Sequence, residues 1–307
     1  MCNYPLNYTQ TITINPAPAP SFTTTPPNET IECNEAQAYV AALTTLAYTN
    51  NDNNGCEIAG TVQPQVTETW DECGGTITVV WDTIVMCNYP LNYTQTITIN
   101  PAPEAAFVNP PADVTLTCDE AQNFTFNNLA YTNGETVTCE ISGDVPGTLA
   151  GTFDECGGTQ TVTWTFTDDC GRTITHVQNI TIEPAPEAAF VNPPADVTLT
   201  CDEAQNFTFN NLDYTNGESV TCEISGDVPG TLAGTFDECG GTQTVTWTFT
   251  DDCGRTITHV QNITIEPAPE AAFVNPPADV TLTCDEAQNF TFNNLAYTNG
   301  ETVTCEI

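Results

Sequence analysis

Apolar and polar residues alternate with a period of two along most of this chain. Val162, Trp164 and Phe166 alternate with Thr161, Thr163 and Thr165, and Ile174, His176, Gln178, Ile180 and Ile182 share one side of the next segment. Val114, Leu116 and Cys118 alternate with Thr115 and Thr117, and Val137, Cys139 and Ile141 repeat the pattern. A two-residue period turns one strand face to a core and the other to water. Short alternating segments separated by turn residues predict an antiparallel β-sandwich. Segment 34–46, with Ala36, Ala38, Ala41 and Ala42, is predicted to form one short helical turn in the first unit only.

The pattern recurs. Residues 104–186 and 187–269 differ only at Ala130 against Asp213 and Thr136 against Ser219, and 270–307 copies 104–141. The unit is therefore about 83 residues long, and repetition at a fixed period marks a tandem array. A diverged unit occupies 19–103, and the string 1–18 recurs unchanged at 86–103. The expected organisation is the last strand of a truncated repeat over 1–18, then repeats 19–103, 104–186 and 187–269, then a truncated repeat over 270–307. Met1 is on this reading an internal repeat residue, with any secretion signal upstream. Successive units meet at Pro101-Ala102-Pro103 and Pro184-Ala185-Pro186. Proline fixes φ there and favours a stiff, extended rod.

Composition narrows the partners. Two Arg, no Lys and forty acids give a formal charge of −38. Nucleic acid needs a basic footprint, so it is excluded as a natural partner, and anionic membrane surfaces are disfavoured. No apolar run is long enough to span a bilayer, so no membrane insertion is expected in this segment. The same charge keeps a long chain soluble. Fifteen cysteines, without any C-x-x-C, indicate an oxidising, extracellular location and a disulfide framework, not zinc sites. Each full unit carries four, and the odd total follows from the register of the repeat.

Little in the sequence points to catalysis, and the chain reads as no enzyme. His176 and His259 hold one repeat position, where the first unit has Tyr93, so a strand role is expected for both. No Ser-His-Asp set, phosphate loop or zinc motif occurs. No cofactor is expected, except that loop carboxylates Asp119, Asp154, Glu155, Asp168 and Asp169 are candidate Ca²⁺ ligands, since Ca²⁺ takes six to eight oxygens. Asp168 and Asp169 have a local competitor in Arg172. The Thr rows suit the wet face of a strand.

The stretch TQTVTWTFTDDCGRTITHVQNITI (159–182) resembles the closing hairpin of hyalin-repeat (HYR) domains, and the four-cysteine pattern is similar to the HYR-like variant of giant Bacteroidota cell-surface proteins. The resemblance covers the whole chain, copy after copy. It implies an all-β fold of tandem Ig-like antiparallel β-sandwich repeats, end to end, with type IX secretion and surface display. In Ig-like polarity the first strand ends near the corner holding Cys156, and the strand of Cys139 begins near the final hairpin. The expected cystines are then Cys118–Cys156 and Cys139–Cys170, with Cys33–Cys73, Cys56–Cys87, Cys201–Cys239 and Cys222–Cys253 as their counterparts. The expected function is a structural segment of a long extracellular filament or stalk used for adhesion, gliding or prey contact. The alternative is a multivalent adhesin array that binds glycan or Ca²⁺ at each repeat. Other copies of the chain, in a multi-chain filament, and glycans or a target-cell surface are the expected partners.

Overall fold

The computed structural model describes residues 1 and 3–307; Cys2, expected as the last cysteine of a truncated repeat, lies outside the described residues. The chain is all-β, built of tandem Ig-like sandwich repeats. Repeat 187–269 displays the plan. One three-stranded sheet joins Ala189–Phe190, Leu212–Thr215 and Ser225–Val228, with the middle strand antiparallel to both neighbours. The second sheet runs in the order Val197–Leu199, Thr256–Ile265, Gly240–Thr250, Thr231–Asp237. Repeat 19–103 has the same two sheets, and the middle repeat has the same strand orders.

The alternating residues do what their period requires. Val162, Trp164, Ile180 and Ile182 are buried, as are Val245, Trp247, Ile263 and Ile265 one repeat later. Each Trp is buried and donates its indole N–H to a loop carbonyl, Trp164 to Asn127 and Trp247 to Asn210, both at 3.1 Å. That bond removes the penalty of an unpaired buried donor.

The sandwich is not wholly antiparallel. Val114–Leu116 pairs parallel with Ile180–Ile182, and the counterparts in the other full repeats do the same. A short opening strand that changes sheets runs beside the closing strand in the same direction, so each repeat is closed by its own first and last segments.

Three local expectations are corrected. Helical turns occur in every unit, at Ala36–Ala41, Cys118–Gln122, Cys201–Gln205 and Cys284–Ala287. Thr117 starts the second of these: its Oγ1 accepts from the Glu120 N–H, and its own N–H donates to the Glu120 carboxylate. This is a capping box, which satisfies two otherwise orphaned N–H groups. Val137–Cys139 is a 3₁₀ turn, not a strand, with Val137 at φ 59° and its side chain exposed. Residues 3–18 form no strand, although the identical copy within 86–103 forms the strand Tyr89–Ile99. In that copy the strand is held by hydrogen bonds to Gly74–Val85.

The chain groups into two compact units, and the division passes through the middle repeat instead of a Pro-Ala-Pro linker. The first unit holds 1–112, 126–148 and 163–177, and the second holds 113–125, 149–162 and 178–307. Each unit contains one complete full-repeat junction, which is where the distinctive chemistry lies.

Candidate functional site at the repeat junctions

The cystines do not close single repeats. Cys33 is bonded to Cys139 and Cys73 to Cys170, so repeats 19–103 and 104–186 are joined twice. Cys118–Cys222 and Cys156–Cys253 join the next pair in the same way, and Cys201–Cys305 begins the third junction. The first cysteine of a repeat thus bonds the second of the next, and the third bonds the fourth of the next. Their Cα separations, 5.2 to 6.0 Å, lie within the range a disulfide requires.

This overturns all six expected pairs: Cys33–Cys73, Cys56–Cys87, Cys118–Cys156, Cys139–Cys170, Cys201–Cys239 and Cys222–Cys253. The physical reason is that near-identical copies place the same cysteine at the same point of every unit, so spacing within one unit does not reveal which copy supplies the partner. Cys56, Cys87, Cys239 and Cys284 are free and exposed. Cys239 holds the repeat position of Cys73 and Cys156, and Cys87 that of Cys170 and Cys253.

An ion pair sits beside one cystine at each of the two complete junctions. The Arg172 Nε donates to Asp168 Oδ2 at 2.7 Å, and its backbone N–H donates to Oδ1 at 2.8 Å. The guanidinium also donates through Nη1 to the carbonyl of Ala102 at 2.6 Å, in the linker of the preceding repeat. Arg255, Asp251 and Ala185 repeat the arrangement. The linker alanine is held from its other side too, because the Ala102 N–H donates to the Glu72 carbonyl and that of Ala185 to Glu155. Burial raises the Asp168 carboxyl pKa, but the Arg172 backbone and side-chain bonds and the Arg172 charge outweigh it and hold it below the usual value. Asp251 is held down by Arg255 in the same balance.

Side chains from the helical turns complete the contact. Asn34 donates to the Glu135 carboxylate and Gln37 to Thr138. At the next junction Gln122 donates to the Ser219 carbonyl at 3.1 Å and Gln205 repeats this with Thr302. Sequence reading missed these residues, although the Thr117–Glu120 box that starts the helical turn is visible in the sequence.

The Ca²⁺ candidates are not gathered into one site. Asp168 is committed to Arg172. Asp154 Oδ1 accepts from the Cys156 N–H, closing a tight turn in which Gly157 adopts φ +85°. A side chain on Gly157 would meet the Ile182 carbonyl at 2.5 Å. The Glu155 carbonyl receives the linker N–H, Asp119 faces Gln122 of its own turn, and Asp169 is exposed. Among the described residues no group of three or more His, Cys, Asp or Glu side chains could hold a metal ion.

His176 is a strand residue packed between aromatic rings. Its ring lies 5.8 Å from Trp164 and 6.4 Å from Phe107, and its Nε2 is 2.9 Å from the Pro111 carbonyl. In the first repeat Tyr93 meets the Pro26 carbonyl through its hydroxyl, so two different side chains satisfy one repeat position.

No protein-family model matches the sequence, and no curated protein matches it. Among solved structures, a protocadherin gammaB7 EC3–6 cis-dimer is 8% identical with a TM-score of 0.32, covering 81% of this chain and 77% of that one. Mouse protocadherin-24 EC1–3 is 9% identical with a TM-score of 0.25, covering 64% and 80%. Titin domains I67–I69 are 9% identical with a TM-score of 0.24, covering 81% and 99%.

Proposed function

We propose that the chain is a structural repeat segment of an extracellular filament or stalk displayed on a cell surface. One observation carries this reading: an 83-residue unit repeats its junction chemistry, with two cystines and an Arg–Asp–linker clasp, at successive full-repeat boundaries. Cystines persist in oxidising compartments, which supports secretion. Nearest-neighbour interfaces in a tandem array give length by addition, and a stalk needs length. The bacterial host and the adhesion, gliding or contact role follow from the HYR-like resemblance and belong to the same proposal. Immunogold labelling of intact, unpermeabilised cells tests it. Gold along a surface appendage is the expected result, and label found only after lysis would refute it.

A second reading, a multivalent binding array, is favoured by a recurring cavity. About 430 Å³ beside Tyr39, Trp81 and Gln95 in the first repeat matches about 320 Å³ beside Phe209, Trp247 and Gln261 in the third. Many weak sites on one chain gain avidity. A glycan array probed with the purified chain separates the two, since binding by the repeats themselves supports the second.

A further inference from the structure

We infer that the cystines form a continuous covalent tie that carries tension along the array while leaving most of each repeat unloaded. This rests on the structural reading above and deepens it. The path can be followed residue by residue. From Cys87 it runs back along strand Gly74–Val85 to Cys73 and crosses to Cys170. It runs back along Gly157–Thr167 to Cys156, crosses to Cys253, and returns along Gly240–Thr250 to Cys239. At each repeat the covalent route uses one strand and its flanking turns, about 14 residues of the roughly 83 in a unit. The remaining residues hang from it as closed loops.

The strands chosen matter as much as the count. A β-strand rises about 3.3 Å per residue, against a fully extended limit of about 3.6 Å, so a tie made of strands lengthens by only about a tenth before its covalent bonds take the load. These strands are also central in their sheets: Gly157–Thr167 lies between Thr148–Asp154 and Thr173–Ile182, and Gly240–Thr250 is flanked in the same way. Hydrogen bonds on both edges keep them straight. The second rail, Cys33–Cys139 and Cys118–Cys222, returns through about 21 residues that include a helical turn and loops, so it has slack. Tension therefore falls first on the strand rail. The other strands of each sandwich, which in an uncrosslinked array unravel under force, lie outside the loaded path.

Single-molecule stretching of the full chain tests this, with DNA handles on the exposed thiols of Cys87 and Cys239. Cys2, Cys56 and Cys284 are changed to Ser so that handles attach only there and all five cystines remain. The oxidised chain should stop lengthening at about 160 Å between attachment points, about 42 residues plus two cystines, with no unfolding steps before rupture. Dithiothreitol should release it to about 550 Å, the contour of the intervening sequence. Replacing Cys156 and Cys253 together by Ser should move the oxidised limit only to about 180 Å, because Cys118–Cys222 still bridges the interval through about 48 residues, and replacing Cys118 and Cys222 as well should roughly double the original limit. An oxidised limit near 300 Å, which pairing within repeats would give, or near 550 Å, would overturn the tie. Surface labelling is unaffected by either outcome, so the tie and the extracellular reading fail separately.

Discussion

Arg172 donates a 2.6 Å hydrogen bond to the carbonyl of Ala102, seventy positions earlier and in the preceding repeat, while its Nε holds Asp168. One of only two arginines, in a chain without lysine, is therefore spent on a linker. Arg172→Ala removes both bonds and leaves a carboxylate with little exposure and no cation. The expected cost is about 2–4 kcal/mol, mostly from the stranded charge. Chemical denaturation of the oxidised chain checks it, and Arg172→Ala with Asp168→Asn should recover part of the loss.

The same pair sets a pH dependence. The Asp168 and Asp251 carboxyls are held below their usual value, so the folded state binds their protons less readily than the unfolded state. Their contribution is complete above the ordinary carboxylate range, about pH 5 and higher, and is lost as pH falls through the depressed folded values. Stability of the wild-type chain relative to Arg172→Ala should then be constant from about pH 6 to 8 and shrink in strong acid toward the part supplied by the Arg172–Ala102 bond. Thermal unfolding at a series of pH values measures the difference, and a gap that widens on acidification would contradict the pairing.

Trypsin gives a direct reading of the cystine pattern. Arg172 and Arg255 are its only sites, so full cleavage yields 1–172, 173–255 and 256–307. Cys118–Cys222 and Cys156–Cys253 join the first two pieces, and Cys201–Cys305 joins the last two. Denatured but unreduced chain should stay one species on a gel after cleavage and separate into three on reduction. Three pieces without reductant would restore the within-repeat pairs.

His176 has a structural part that tyrosine can take. His176→Tyr reproduces the arrangement of Tyr93 and should change stability by less than about 1 kcal/mol, while His176→Ala leaves a gap against Trp164 and should cost about 2–3 kcal/mol. Denaturant midpoints of the two variants decide between this and a position that tolerates only histidine.

The sandwich was readable because Val162, Trp164, Ile180 and Ile182 obey a period of two, and a core selects that period directly. The helical turn at Cys118–Gln122 was readable in principle: Thr117 and Glu120 announce it, but the alternation of Val114, Leu116 and Cys118 outweighs them. The turn at Val137 was not readable, since a β-branched residue at positive φ opposes local preference and is held there by the cystine of Cys139 and its neighbours. The cystine partners lay beyond any reading of one unit, because repetition erases the difference between a cysteine and its copy.

The offset of the cystines imposes an order of manufacture. Cys156 has no partner until Cys253 has been made, 97 residues later. A growing chain therefore carries reduced thiols on its youngest repeat at all times, and oxidation trails synthesis or export by about one unit. Completed repeats are sealed from behind, each by its successor, so the array matures as a zipper that closes in one direction. An oxidase acting on this chain meets its substrate only at the advancing end.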